Sequence, residues 1–145
     1  MFAVDTNVLV YAHFDLYPQH QRARRFVEVH LLGDDDWCMG WQVYYEYLRI
    51  VTHPKIHKAP LTLAQAIGDL DVYVRSPRCQ MLSHTPQHRQ ILEAVTRRVE
   101  AVSGNLVHDC HYAALLHEHG IQTIYTADAD FRRFDFLEVI DPTAA

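Results

Sequence analysis

Short apolar runs alternate with helix-length segments along the whole chain, and this alternation restricts the fold more than any other feature of the sequence. Phe2–Val4 predicts a first strand and Thr6–His13 the helix that follows it. From Pro18 to Leu32, the residues Ala23, Phe26, Val27, His30 and Leu31 recur on one helical face, with Gly33 placed to cap its end. Trp37–Met39 predicts a strand, and Trp41–His53 a helix stopped by Pro54. Residues 61–76 read as a helix with Thr62 as N-cap, and Cys79–Leu82 as a strand. Pro86–Val102 predicts a helix with Pro86 at its first position, and Asn105–His119 another closed by Gly120. Residues 122–127 and 137–140 are the last strands. Strands this short, separated by helices, predict a three-layer α/β/α sandwich around a short parallel sheet. In such sheets, sites form beyond the carboxyl ends of the strands.

One domain over residues 1–145 is expected, large enough to bury a real core. Apolar residues make up 49% of the chain and charged residues 21%, the profile of a soluble globular protein rather than a disordered one. No apolar run approaches the roughly 20 residues that span a bilayer, so no membrane association is expected. The N-terminus lacks a basic, apolar leader, and a cytoplasmic location is the expectation. Cys38, Cys79 and Cys110 are odd in number and widely spaced, reading as reduced core thiols. The net charge of −5 argues against a general affinity for polyanions, but its distribution is uneven. Residues 53–101 carry seven Lys/Arg against four Asp/Glu, and the two ends carry six against fourteen. Polyanion binding is therefore restricted to a local basic patch.

Four acids share one kind of position. Asp5 interrupts an apolar run immediately after the first strand, and Asp128 follows Thr123–Ala127 in the same way. Glu46 shares a helical face with Val43 and Ile50, and Asp109 shares one with Ala113 and Leu116. Each has a separate structural explanation. Asp128 would cap a turn, Asp109 would favour a helix N-terminus, and Glu46 would pair with a buried arginine. The joint explanation is one pocket. Two carboxylates about 4 Å apart repel by about 4 kcal/mol at an effective dielectric near 20, so four together require protons or cations. Oxygen-only ligation suits Mg²⁺ or Mn²⁺, which activate water and clamp phosphates.

The same residues carry a family resemblance. "VDTNVLVYA" at the start, Glu46 in "YYEYLRIVTHP", Asp109 in "VHDCHYAAL" and "IYTADADF" resemble the PIN domain, above all VapC-type toxins of bacterial toxin–antitoxin pairs. The resemblance extends from residue 3 to about residue 142, with little that is diagnostic between residues 55 and 100. It implies a PIN-like sandwich and a Mg²⁺-dependent endoribonuclease, with a cognate antitoxin protein as partner and a homodimer as the assembly. It also implies that Asp5, Glu46, Asp109 and Asp128 form the catalytic, metal-binding quartet. Asn7 or Thr6 would support the pocket by hydrogen bonds, and Asp130 would be an accessory acid.

RNA contact would fall to basic groups around the acids, with Arg132 and Arg133 best placed by their nearness to Asp128. Tyr44, Tyr45, Trp41 or Phe14 would offer stacking faces to unpaired bases, although core packing is the expected role for most of them, and the lack of a duplex-reading motif favours single-stranded or loop RNA. Of the eleven histidines, His108 and His111 flank Asp109, but no third ligand near them in sequence suggests a transition-metal site. They read as surface residues. Two other functions fit less well: a catalytically silent RNA- or protein-binding module, and a small phosphohydrolase. The phosphohydrolase would normally carry an acid where Asn7 stands.

Overall fold

A computed structural model describes residues Met1–Ala145. Five strands form one parallel sheet: β1 (Phe2–Val4), β2 (Trp37–Gly40), β3 (Cys79–Leu82), β4 (Thr123–Tyr125) and β5 (Glu138–Ile140). Their order across the sheet is β3-β2-β1-β4-β5. The chain therefore builds outward from β1 through β2 to β3, then returns to β1's other side. That reversal makes the carboxyl ends of β1 and β4 the topological switch point, where an open sheet leaves a crevice.

Six helices cover the sheet: α1 (Thr6–His13), α2 (His20–Phe26), α3 (Trp41–Val51), α4 (Leu63–Val74), α5 (His88–Arg97) and α6 (Leu106–Glu118). The helices α1 to α4 pack on one another in the order α2, α1, α3, α4, while α5 and α6 pair separately. Right-handed crossovers place these two groups on opposite faces of the sheet. The predicted α/β/α sandwich is the observed one.

Both faces being covered explains the central strands. Ala3 and Val4 of β1, and Trp37, Cys38 and Met39 of β2, are all completely buried. Trp37 keeps its indole N–H satisfied by donating to the Leu31 carbonyl at 3.1 Å. These residues belong to a single core cluster of 30 buried side chains that runs from β1 to Leu137.

Element boundaries differ from expectation, most clearly around α2 and α5. The helix expected over Pro18–Leu32 starts at His20 and passes into π-helical turns at Val27–Leu31, where the Leu32 N–H reaches back to the Val27 carbonyl. Gly33 lacks the left-handed conformation of a C-cap glycine; it is needed because an added Cβ would strike the Val29 carbonyl oxygen. Pro86 does not open α5. It sits in a turn closed by the His88 N–H on the Thr85 carbonyl at 3.0 Å, and the helix starts two residues after it. That helix also stops at Arg97, and the chain turns through Ala101 and Gly104, both at positive φ. Gly120, by contrast, closes α6 as expected. At φ +70 it allows the Gly120 N–H to reach the His117 carbonyl and the Ile121 N–H the Leu116 carbonyl, a Schellman cap. The three cysteines are free, two of them buried. No helix is long and apolar enough to cross a membrane.

Candidate metal-binding cleft

The interrupted strand at the N-terminus is resolved by local hydrogen bonding. Asp5 extends the β1–β4 ladder by one residue, its N–H donating to the Tyr125 carbonyl at 3.0 Å. Its side chain then caps α1, with Oδ1 accepting the Thr6 N–H at 2.8 Å. The other oxygen, Oδ2, accepts from the Thr126 hydroxyl at 2.7 Å and from Asn7 Nδ2 at 3.1 Å. Thr126 Oγ1 in turn accepts from the second Asn7 amide hydrogen at 3.1 Å and from the Asp128 N–H at 3.0 Å. Asn7 Oδ1 accepts the Ala127 N–H at 3.1 Å. Both polar side-chain atoms of Asn7 are thus used to bind the end of β1 to the end of β4. Behind them, the buried Tyr112 hydroxyl donates to the Val4 carbonyl at 2.7 Å, fixing α6 to the same strand end.

The remaining acids come from three further elements. Glu46 lies midway along α3, directly after β2, and Asp109 lies in the first turn of α6. Asp128 caps the 3₁₀ turn Ala129–Arg133, accepting the Asp130 N–H at 2.9 Å. Asp5, Glu46, Asp109 and Asp128 all line one cleft of about 550 Å³, with Asn7, Tyr11 and Tyr112 among its walls. Asp109, Asp128 and Asp130 bring carboxylate oxygens within 4.8 Å of one another, close enough to share a metal ion.

The electrostatics show the cost of this gathering. Burial pushes the Asp5 carboxyl up to about 6, with Glu46 and Asp128 adding repulsion, against the lowering effect of its Thr126 and Thr6 hydrogen bonds. Burial pushes Asp109 up to about 7, followed by the charges of Asp128, Asp5, Asp130 and Glu46. Three hydrogen-bond donors on Asp5 do not outweigh its burial and its like-charged neighbours.

The four acids expected to meet do meet. Two of the simple structural roles are partly correct: Asp128 does cap a turn and Asp109 does sit at a helix start, yet both also face the cleft. Glu46 is in none of the ion pairs formed by arginines. Asn7 supports the pocket by its side chain. Thr6 does so only through its N–H, since its hydroxyl is buried without a partner. Asp130 is exposed beside Asp128, and Arg133 Nε lies 3.7 Å from its carboxylate. Arg132 and Arg133 are exposed and do not line the cleft, although they border it in sequence.

Three contributors escape a reading of the sequence. Thr126 is the hydroxyl on which Asp5, Asn7 and Asp128 all converge, and its one signal was its place just before Asp128 in "TADADF". Arg49 lines the cleft one turn after Glu46 on α3, a spacing that could have marked it. The third is a correction. His111 does have further imidazoles beside it, because the β3–α5 loop brings in His84 and the start of α5 brings in His88. Those two lie more than 20 residues away in sequence, where spacing along one helix carries no information.

Comparison with known proteins agrees with this geometry. The family profile described as "PIN domain" matches residues 2–137. The chain is 35% identical over 142 residues to Ribonuclease VapC48 of Mycobacterium tuberculosis, covering 95% of this chain and 94% of that protein. It is 30% identical to Ribonuclease VapC25 of the same organism, covering 98% and 99%. Among solved structures, M. tuberculosis VapC20, described as a sarcin-ricin loop cleaving toxin, superposes with a TM-score of 0.70 at 18% identity, covering 97% of this chain and all of that one. VapBC2 from Rickettsia felis, bound to a DNA fragment from its promoter, superposes with a TM-score of 0.67 at 18% identity, covering 95% and 96%.

Proposed function

The chain belongs to the PIN-domain family, within its VapC group, and from that premise we propose that it is a divalent-metal-dependent endoribonuclease, the toxin of a toxin–antitoxin pair. The observation that carries the reading is the convergence of Asp5, Glu46, Asp109 and Asp128, from four separate elements, on one cleft. The donor set fits a hard cation. All of its ligands are carboxylate oxygens, and repulsion among them adds to the burial that raises the Asp5 and Asp109 carboxyls, a repulsion that a divalent cation relieves.

In this reading Asp5, Asp109 and Asp128 hold Mg²⁺, or Mn²⁺ in its place, and Asp130 is an accessory acid. When bound, such an ion acidifies water and offsets charge gathering on the phosphate oxygens of an in-line displacement. Glu46 ligates the ion or orients the attacking water. Hydrolysis leaves a 3′-hydroxyl and a 5′-phosphate, and no histidine or lysine is needed as base. Asn7 and Thr126 keep the Asp5 carboxylate in one orientation through their paired hydrogen bonds. Arg49 on the cleft wall meets the substrate's phosphates, with Arg132 and Arg133 further along the strand's path. Tyr45, exposed at the rim, offers a stacking face to an unpaired base.

RNA as the substrate is supported by the ribonuclease names of the relatives, and a cognate antitoxin as partner by the likeness to VapBC2. The unit is the whole of residues 1–145, working as a homodimer in the cytoplasm. The test is cleavage of end-labelled RNA by the purified chain with Mg²⁺, with EDTA, and with the Asp5→Asn variant. Cleavage in the first arm alone is expected. Undiminished cutting by Asp5→Asn refutes the site, and RNA binding without cutting would make the chain a silent module. Turnover of a simple phosphate ester but not of RNA would make it a phosphohydrolase.

A further inference from the structure

A second cluster of metal-ligating side chains, made of imidazoles rather than carboxylates, forms around His111. His84, in the loop after β3, and His88, at the start of α5, meet His111 of α6, with a ring nitrogen of each within 4.8 Å of the others. We propose that these three imidazoles form a site for a borderline transition-metal ion, Zn²⁺ in the first instance, adjoining the carboxylate cleft but of opposite chemical preference.

The argument begins with the nitrogens. The Nε2 atoms of His84 and His111 face each other at 2.7 Å. Two neutral imidazoles can sit this way only by placing one proton between two lone pairs. An ion with bonds of 2.0–2.1 Å needs donors roughly 3.3 Å apart, which a small ring rotation provides. His88 completes the set through its surroundings. Its Nδ1 lies 2.7 Å from Glu118 Oε2, and the Glu118 side chain is completely buried. A buried carboxylate there keeps the proton on Nδ1 and leaves Nε2 as a free lone pair. A carboxylate behind a ligating histidine is the usual outer support of a metal site, fixing tautomer and ring orientation.

The loop carrying His84 is also held in place. Glu118 Oε1 accepts the Thr85 N–H at 2.9 Å, and His119 Nε2 lies 2.7 Å from the Ser83 carbonyl. The C-terminal end of α6 thus grips the residue on each side of His84. Three nitrogen donors with no carboxylate among them favour zinc, nickel or copper over magnesium. Three protein ligands leave a fourth position open, the pattern of sites that bind a further small molecule or water. His111 also lines the acidic cleft, so an ion held here adds positive charge at its rim.

The test counts metal and reads its ligands, and it does not depend on the nuclease reading. Full-length protein is dialysed against Zn²⁺, and separately titrated with Co²⁺, for the parent chain, the Asp5→Asn/Asp109→Asn pair and the His84→Ala/His88→Ala pair. His84 is exposed and His88 only half-buried, so that last variant is expected to fold, which circular dichroism checks. One equivalent of zinc, and the strong visible absorption of nitrogen-ligated cobalt, are expected in the parent and in the acid variant. Both are expected to vanish in the histidine variant. Glu118→Gln should weaken zinc binding by about 10- to 100-fold. Zinc lost in the acid variant but kept in the histidine variant, or no zinc bound by the parent chain, overturns the site.

Discussion

Replacing Asp109 by Asn should make the metal-free protein more stable at alkaline pH while removing a ligand from the cleft. Burial and four neighbouring carboxylates push this carboxyl from 3.8 to about 7. Between those values the folded chain keeps a proton that the unfolded chain has released. Stability therefore falls as pH rises through that window and levels off above it. A shift of this size sets a ceiling of about 4 kcal/mol. Asp109 is half-exposed, and solvent screening brings the expected cost to about 1–2 kcal/mol.

Asn has no proton to lose and avoids the cost. Without metal, Asp109→Asn should melt about 2–8 °C higher than the parent at pH 8. Near pH 4 the two should melt together, because the parent's carboxyl is then protonated. Magnesium should reverse the order. The parent gains about 2.7 kcal/mol at an ion concentration 100 times its dissociation constant, and the variant gains less. Thermal melts followed by circular dichroism at the two pH values, in EDTA and in Mg²⁺, provide the comparison. A variant that melts below the parent at pH 8 in EDTA would show that the carboxylates do not repel as argued.

Three other substitutions test separate parts of the cleft. Thr126→Val keeps the side-chain shape but removes the donor at 2.7 Å from Asp5, so the Asp5 carboxyl should titrate above 6 in a carboxyl NMR titration; an unchanged or lower value refutes the role of the hydroxyl. Asn7→Ala strips partners from the Ala127 N–H and from Asp5, and should cost about 1–3 kcal/mol in urea unfolding. Arg49→Ala should weaken binding of single-stranded RNA and reduce the slope of log K against log salt by about 0.7, as one phosphate contact is lost.

How much of this was legible in the sequence follows from the range of each interaction. Asp5 and Asp128 were visible because each ends an apolar run, and a strand end is a local property. Glu46 and Asp109 were visible because helical periodicity sets them among apolar neighbours. Thr126 was not, since a threonine at a strand end is ordinary until the β1–β4 pairing sets it beside Asp5. The His84–His111 meeting was hidden for the same reason: it depends on how the β3–α5 loop lies against α6. The misjudged ends of α5 have a local cause. Proline fits the first helical position but fits a preceding turn equally well, and the positive φ at Ala101 is not a conformation its side chain advertises.

The cleft is built from two unequal halves, and the inequality bears on what each can do. On the Asp5 side, both carboxylate oxygens are committed to donors from β1's own helix and from the end of β4, and the strands beneath are fully buried. Such a carboxylate cannot move without breaking several bonds at once. On the other side, Asp109 has raised its proton affinity further, and Asp130 stands exposed beside Asp128. Like charges gathered on loosely held side chains can separate when no cation is present and close when one arrives. The rigid half therefore fixes where an ion sits, and the yielding half supplies the free energy of holding it there. Substitutions at Asn7 or Thr126 should accordingly degrade geometry and lower turnover, whereas substitutions at Asp109 should act mainly on ion affinity.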